Sequence, residues 1–327
     1  MATNLTFIFF VIALAFAFDF INGFHDAANS IATIVATGVL KPLPAVIWAA
    51  FFNFIAFLFF KLKVATTIGV GLVAPTLIDP YFIFAALSGA VIWNLVTWYF
   101  GLPSSSSHAL IGGLVGAAIT KGGTTVLNYM GVMKVVVSIV LSPILGFILG
   151  FILMSFANHV TANWTKIAVQ RWFGHIQFIS AALLSLGHGG NDAQKTMGII
   201  AVLLFSAHLL NGHFYVPLWV IISCNLIIAL GTLAGGWRII HTLGHQITKL
   251  NPMRGSCAET GAALTLFLAT DLGIPVSTTH TITGAITGVG VRNVQWAVVR
   301  RIVWAWIFTL PAAAIIAGGI IWLGMKL

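Results

Sequence analysis

Asp19, Asn22, Asp26 and Asn29 recur at helical intervals in an otherwise apolar stretch, so a helix places them on one face. Ser185, His188, Asp192 and Lys195 repeat that spacing later in the chain. Carboxylates and amides without arginine are hard oxygen ligands, a donor set suited to sodium or to carrying protons. The plainer role of such a stripe is a hydrogen-bond network that glues buried helices. Its duplication and its carboxylate content exceed what gluing requires. A second pair of segments has a different chemistry: GLPSSSSHALIGGLVG from Gly101 matches GIPVSTTHTITGAITG from Gly273. Pro103 and Pro275 stop one helix, and the hydroxyls of Ser105, Ser106, Ser107 and of Ser277, Thr278, Thr279 suit the start of another. A helix start exposes unpaired N–H groups at its positive dipole end, so each cluster offers an oxyanion site without a fixed cation. One cluster alone would read as simple capping; the matched pair favours anion binding.

Other polar residues support this core. Lys195 has three readings of equal standing: a partner for Asp192, a contact for the anion, or a side chain snorkelling to the interface. His108 and His280 close the hydroxyl clusters, and His25 and His188 flank the acidic motifs. Each histidine by itself reads as a hydrogen-bonded buried ring, and together they are secondary candidates with Asp19, Asn22 and Glu259. Gly112, Gly113, Gly116, Gly284 and Gly288 have spacings that permit close helix contact. Cys224 and Cys257 sit in apolar surroundings and read as packing residues, with no disulfide framework and no metal site.

The elements that must position these side chains lie in a bilayer. Apolar residues make up 59% of the 327 positions and charged residues 6%, too little polar material to cover a soluble fold. Stretches of bilayer-spanning length recur, at Leu5–Phe24, Leu43–Phe60, Tyr81–Phe100, Met133–Phe156, Val216–Leu233 and Ile302–Leu323. Met1–Asn4 carries no positive charge, so the first helix is expected to be a permanent anchor and not a cleaved signal. The net charge of +9 comes from single, scattered Lys and Arg, which excludes a basic stripe for nucleic acid. Of the acidic residues, Asp19, Asp26, Asp192, Glu259 and Asp271 lie in or beside apolar segments, and only Asp79 looks like a loop charge. An ionised group at the bilayer centre costs about 2.5–3.5 kcal/mol on insertion scales, so these acids imply partners or a wet cavity.

Internal similarity organises the chain. Asp19–Thr37 aligns with Ser185–Leu203, pairing Asp26 with Asp192 and Ser30 with Thr196. Each half has one order: a polar-interrupted helix, an apolar span, a helix ending at Gly-x-Pro, a short Gly-rich helix and a closing span. The expected fold is therefore an all-α integral membrane protein of two inverted-topology repeats. Each repeat has about five transmembrane or re-entrant helices, about ten in total. The expected boundaries are residues 1–156 and 176–327 for the repeats and 157–175 for a cytoplasmic linker. Lys41, Lys166, Arg171, Arg238, Lys249, Arg254, Arg292, Arg300 and Arg301 collect on one side of this topology. Lys61, Lys63, Lys121, Lys134 and Lys326 fall on the other, which places both termini outside.

At these residues the sequence closely resembles the inorganic phosphate transporter family known as PiT, over nearly its whole length. GHGGNDAQKTMG fits the second-half signature, and PVSTTH with the preceding Glu259 is similarly characteristic. GFHDAANS departs from the usual first-half form by Phe24 and His25. The resemblance implies a plasma-membrane transporter, often dimeric, that moves phosphate by symport with sodium or protons and uses no cofactor. It also leaves room for a neutral metal–phosphate complex carried with a proton, and for sulfate. By motif position it implies Asp26, Asn29, Asn191 and Asp192 as cation ligands. The Ser/Thr clusters are the implied phosphate ligands, with Gln194 as a further contributor. Of the competing classes, an intramembrane hydrolase prompted by Ser104 and His108 needs one nucleophile, whereas this whole polar set is duplicated. A passive channel would show no uphill accumulation.

Overall fold

The computed structural model describes residues 5–326, all helix and connecting turns apart from a single isolated bridge between Val73 and Leu127. Met1–Asn4, which bear on the permanent anchor, lie outside the described residues. The helices of the first half are α1 (Leu5–Ala36), α2 (Pro42–Ile55), α3 (Lys63–Val70), α4 (Pro80–Tyr99), α5 (Ser106–Gly122) and α6 (Tyr129–Val160). Those of the second are α7 (Lys166–Ser206), α8 (Leu218–Ala234), α9 (Trp237–His241), α10 (Pro252–Asp271), α11 (Thr278–Val289) and α12 (Trp296–Gly324). The second unit of each half is broken: α2 and α3 meet at 81°, and α8 and the helical segment from Trp237 to Gln246 meet at 66°.

The same residue chemistry starts and stops matching elements. Asp79 caps α4 by accepting the Phe82 N–H at 2.7 Å, and Asn251 caps α10 by accepting that of Arg254 at 2.9 Å, each followed by proline at the first helical position. Past the ends of α4 and α10 the chain turns at Gly101 (φ 63°) and Gly273 (φ 69°), in the left-handed region that glycine enters without strain. Ser105 then caps α5 through the His108 N–H, and Ser277 caps α11 through the His280 N–H, both at 3.2 Å.

Packing crosses between the halves. The hydroxyl-capped α5 lies along α12, and α11 lies along α6, so each short helix is clasped by the closing helix of the other half. The glycines permit this approach: a methyl at Gly116 would meet the Ala314 backbone, and one at Gly284 the backbone of Pro143. Large apolar side chains such as Phe9, Phe10, Ile152, Ile315 and Trp322 point outward, as a lipid-facing surface requires.

Among the described residues, α1, α4, α6 and α12 alone are long and apolar enough to cross a bilayer, and counting each bent pair as one span gives 6. With each bent pair counted as one unit the two halves together have the expected ten units, and those outside this set are shorter or more polar. α7 and α10 carry buried polar residues, and α11, with 12 residues, spans roughly 18 Å at 1.5 Å per residue. The stretch 157–175, expected as the linker between the halves, joins α6 to α7. It is helical except for Thr161–Thr165, because Thr165 caps α7 on the Ala168 N–H at 3.2 Å and the helix then continues to Ser206.

Candidate functional site

The two acidic stripes and the two hydroxyl clusters meet in one buried site. On α1, Asp26 accepts a hydrogen bond from Ser106 at the start of α5 at 2.8 Å and one from Thr279 at the start of α11 at 3.4 Å. One turn on, the Asn29 amide donates to Thr278 at 3.0 Å and to Thr279 at 2.9 Å, and its Oδ1 has no protein partner. On α7, Asp192 accepts from Thr278 at 3.3 Å, lies 3.3 Å from His188 Nε2 and pairs with Lys195. Lys195 also donates to Ser107 and, at 2.8 Å, to the Val276 carbonyl. Asp26, Asn29, Asp192, Lys195, Ser106, Ser107, Thr278 and Thr279 are all nearly inaccessible to solvent. Lys195 is therefore buried beside Asp192, with no reach to the interface.

This arrangement combines three kinds of group. The hydroxyls and helix N–H groups are donors for an oxyanion, and Lys195 adds a positive charge. Asp26 and Asp192, with the Asn29 oxygen, supply hard acceptors for a cation. One ligand atom each from Asp26, His188 and Asp192 falls within 4.8 Å of the others, close enough to share an ion. Each carboxylate of this buried pair also has a histidine beside it, His25 at Asp26 and His188 at Asp192, and Lys195 pairs with Asp192.

The other expected residues hold this centre in place or lie apart from it. Ser105 and Ser277 are the helix caps, their oxygens already engaged by backbone N–H groups. Asn191 donates to Thr270 at 2.9 Å and accepts the Val276 N–H at 3.3 Å, which fixes the chain entering α11. His25 stands at the matching position of α1 and does the same for α5, reaching Thr97 at 3.2 Å and Ser104 at 3.4 Å while its other nitrogen pairs with Asp26 at 2.8 Å. The unusual first-half motif therefore keeps a tether where the second half has an amide.

Gln194 contributes differently from the expectation. Its Oε1 accepts the Val64 and Ala65 N–H groups at 3.1 and 3.2 Å, and its Nε2 donates to the Lys61 and Gly190 carbonyls. It caps α3, and its amide is fully used there. His108 and His280 meet edge to face with ring centres 4.5 Å apart, and His280 stacks on Trp306 at 3.7 Å. Asp19 accepts from Thr196 at 2.8 Å, and Asn22 has no hydrogen-bond partner for either amide atom.

Glu259 anchors a separate polar cluster, accepting from Thr33 at 2.6 Å, Gln177 at 2.9 Å and Ser180 at 2.5 Å. In the register of the repeats, the matching positions are Leu87, Ile199, Val11 and Leu14, all apolar. The cluster joins Thr33 of the first half to the second and has no counterpart at the repeat-related positions. Sequence spacing did not reveal Thr33, Gln177 and Ser180 as its partners, nor Asn53, which holds His188 at 3.1 Å and donates to Thr232 at 2.9 Å. The available signal for Asn53 was a lone amide in an apolar helix.

Apolar helices closed around carboxylates, an ammonium and hydroxyl-capped helix starts define a multi-pass membrane protein with a polar centre. The phosphate transporter family model matches residues 22–317, and the chain belongs to that family. The probable low-affinity inorganic phosphate transporter of Rhizobium meliloti (strain 1021) is 60% identical over 311 residues, covering 94% of this chain and 93% of that protein. Its counterpart in Bacillus subtilis (strain 168) is 44% identical and covers 93% of each chain. The solved structure of the sodium-dependent phosphate transporter superposes with a TM-score of 0.88 at 25% identity, covering 98% of this chain and 100% of that one. The family is one of transporters and not of enzymes.

Proposed function

We propose that this protein imports inorganic phosphate by symport with cations, phosphate being held between the starts of α5 and α11. The observation that carries this reading is the convergence of Ser106, Ser107, Thr278 and Thr279 on Asp26, Asn29, Asp192 and Lys195. In this reading the hydroxyls, helix N–H groups and Lys195 bind the phosphate oxygens. Asp26, Asn29 and Asp192 hold the coupling cation, with Asn191 and His25 positioning the two helix starts. Sodium suits the hard oxygen donors, and the similar solved structure is of a sodium-dependent transporter. The grouping of Asp26, His188 and Asp192 also supports a metal–phosphate complex as cargo.

Charge sets the need for coupling. Importing a phosphate dianion against an inside-negative potential of 100 mV costs about 4.6 kcal/mol, at about 2.3 per charge. Two cations cancel that cost and a third makes import voltage-driven. The cations also offset the Asp26 and Asp192 carboxylates, so the anion enters a site that would otherwise repel it. The halves are proposed to be inverted repeats with both termini outside, rocking around the loaded site. Reconstituted uptake under separately imposed sodium and proton gradients tests the coupling. Asp26→Asn and Asp192→Asn should each abolish gradient-driven uptake, and normal uptake by both variants would refute the assignment.

A further inference from the structure

Asp19 is a buried carboxylate outside the proposed cation and phosphate ligands. It is 0% exposed, and no Lys, Arg or His lies within ion-pair distance of it among the described residues. Its Oδ1 accepts from Thr196 at 2.8 Å, and its Oδ2 has no partner at all. One turn along the same face, Asn22 is 1% exposed with both amide atoms unpartnered. The titratable groups that face Asp19 from the packed helices are Asp192 on α7 and Cys224 on α8, and neither brings a positive charge. A carboxylate cannot remain ionised here without compensation, since a lone buried charge costs several kcal/mol.

We propose that Asp19 carries a proton through the transport cycle, at a site distinct from the Asp26 and Asp192 cation positions. A metal ion needs a shell of several oxygens, whereas a proton needs one free oxygen, and Oδ2 is that oxygen. When the cavity is open to the outer water, a hydronium gives its proton to Oδ2 and leaves as water. The neutral acid crosses with the load, and the proton passes to water on the inner side. Thr196 links this event to the anion site, because it adjoins Lys195 on α7 and lies one turn beyond Asp192. The inference rests on the phosphate symport reading and adds a proton to it.

The test uses the full chain in proteoliposomes with sodium equal on both sides. Phosphate–phosphate counterflow at equal pH requires no net proton movement, and net uptake driven by an imposed pH gradient does. Asp19→Asn copies the protonated acid in shape and charge. It should therefore assemble normally and keep counterflow within about twofold of the wild type. For one proton per phosphate, a pH difference of about one unit supplies about tenfold of extra accumulation, and this increment should vanish in the variant. Asp19→Glu, which restores a titratable oxygen, should regain it. The proposal is overturned if Asp19→Asn keeps the full pH-driven increment, if it loses counterflow together with net uptake, or if it no longer assembles. Absence of counterflow in the wild type would instead refute the phosphate reading itself.

Discussion

The Asn29 amide on α1 donates to the Thr279 hydroxyl at the start of α11 at 2.9 Å, joining the acidic stripe of the first half to a hydroxyl cap of the second. Through this contact, the positions proposed for the two ligands share a wall. Anything that weakens the joint should weaken cation and phosphate binding together.

Asn29→Ala tests that coupling directly. It removes two hydrogen bonds between the halves and the free Oδ1. At about 0.5–1.5 kcal/mol per bond, phosphate uptake should fall about tenfold or more. The cation concentration giving half-maximal uptake should rise with it. Initial rates across a cation titration in proteoliposomes measure both.

Lys195→Met leaves Asp192 buried without its ammonium partner. Breaking a buried pair in this way costs about 3–5 kcal/mol, so the detergent-solubilised protein should unfold at a lower temperature. Lys195→Met combined with Asp192→Asn should recover much of the stability and none of the uptake. Thermal unfolding and transport assays on the same preparations separate the two effects.

Sulfate should compete poorly for labelled phosphate. The site presents acceptors as well as donors, and the Asp26 and Asp192 carboxylates can accept a proton shared with HPO4 but have nothing to accept from sulfate. A site built to pair with a hydroxyl rejects an analogue lacking it by large factors, so half-inhibition should need about 100-fold excess sulfate or more. Equal competition would favour the sulfate reading.

Gly116→Ala and Gly319→Ala should differ in sign. A methyl at Gly116 strikes the Ala314 backbone where α5 meets α12, costing about 1–3 kcal/mol by overpacking. At Gly319 there is open space, so alanine should be neutral or add up to about 1 kcal/mol through helix propensity. Unfolding midpoints of the two variants give the comparison.

Glu259→Gln should destabilise without removing side-chain volume. Three donors converge on the carboxylate, and the amide presents N–H groups to at least one of them, at a cost of about 1–3 kcal/mol. The same melting assay reads this out.

Much of this protein was determined by its sequence alone. The apolar content required a bilayer, and helical spacing aligned Asp19, Asn22, Asp26 and Asn29 because side-chain direction along a helix follows from the local period. The matched Gly-x-Pro and hydroxyl segments marked two helix starts, since proline and serine act on the backbone beside them. Tertiary structure decided which of these residues meet. Asn29 and Thr279 are 250 positions apart, and no local period records that α11 turns toward α1. The same holds for Gln194, whose motif position suggested phosphate but whose amide is used by the broken α2–α3 unit. It holds also for Lys195, whose reach to the interface was ruled out when Ser107 and Val276 were brought to it across the fold beside Asp192. Local chemistry sets what a side chain can do, and only packing between distant segments selects the partner that makes it do so.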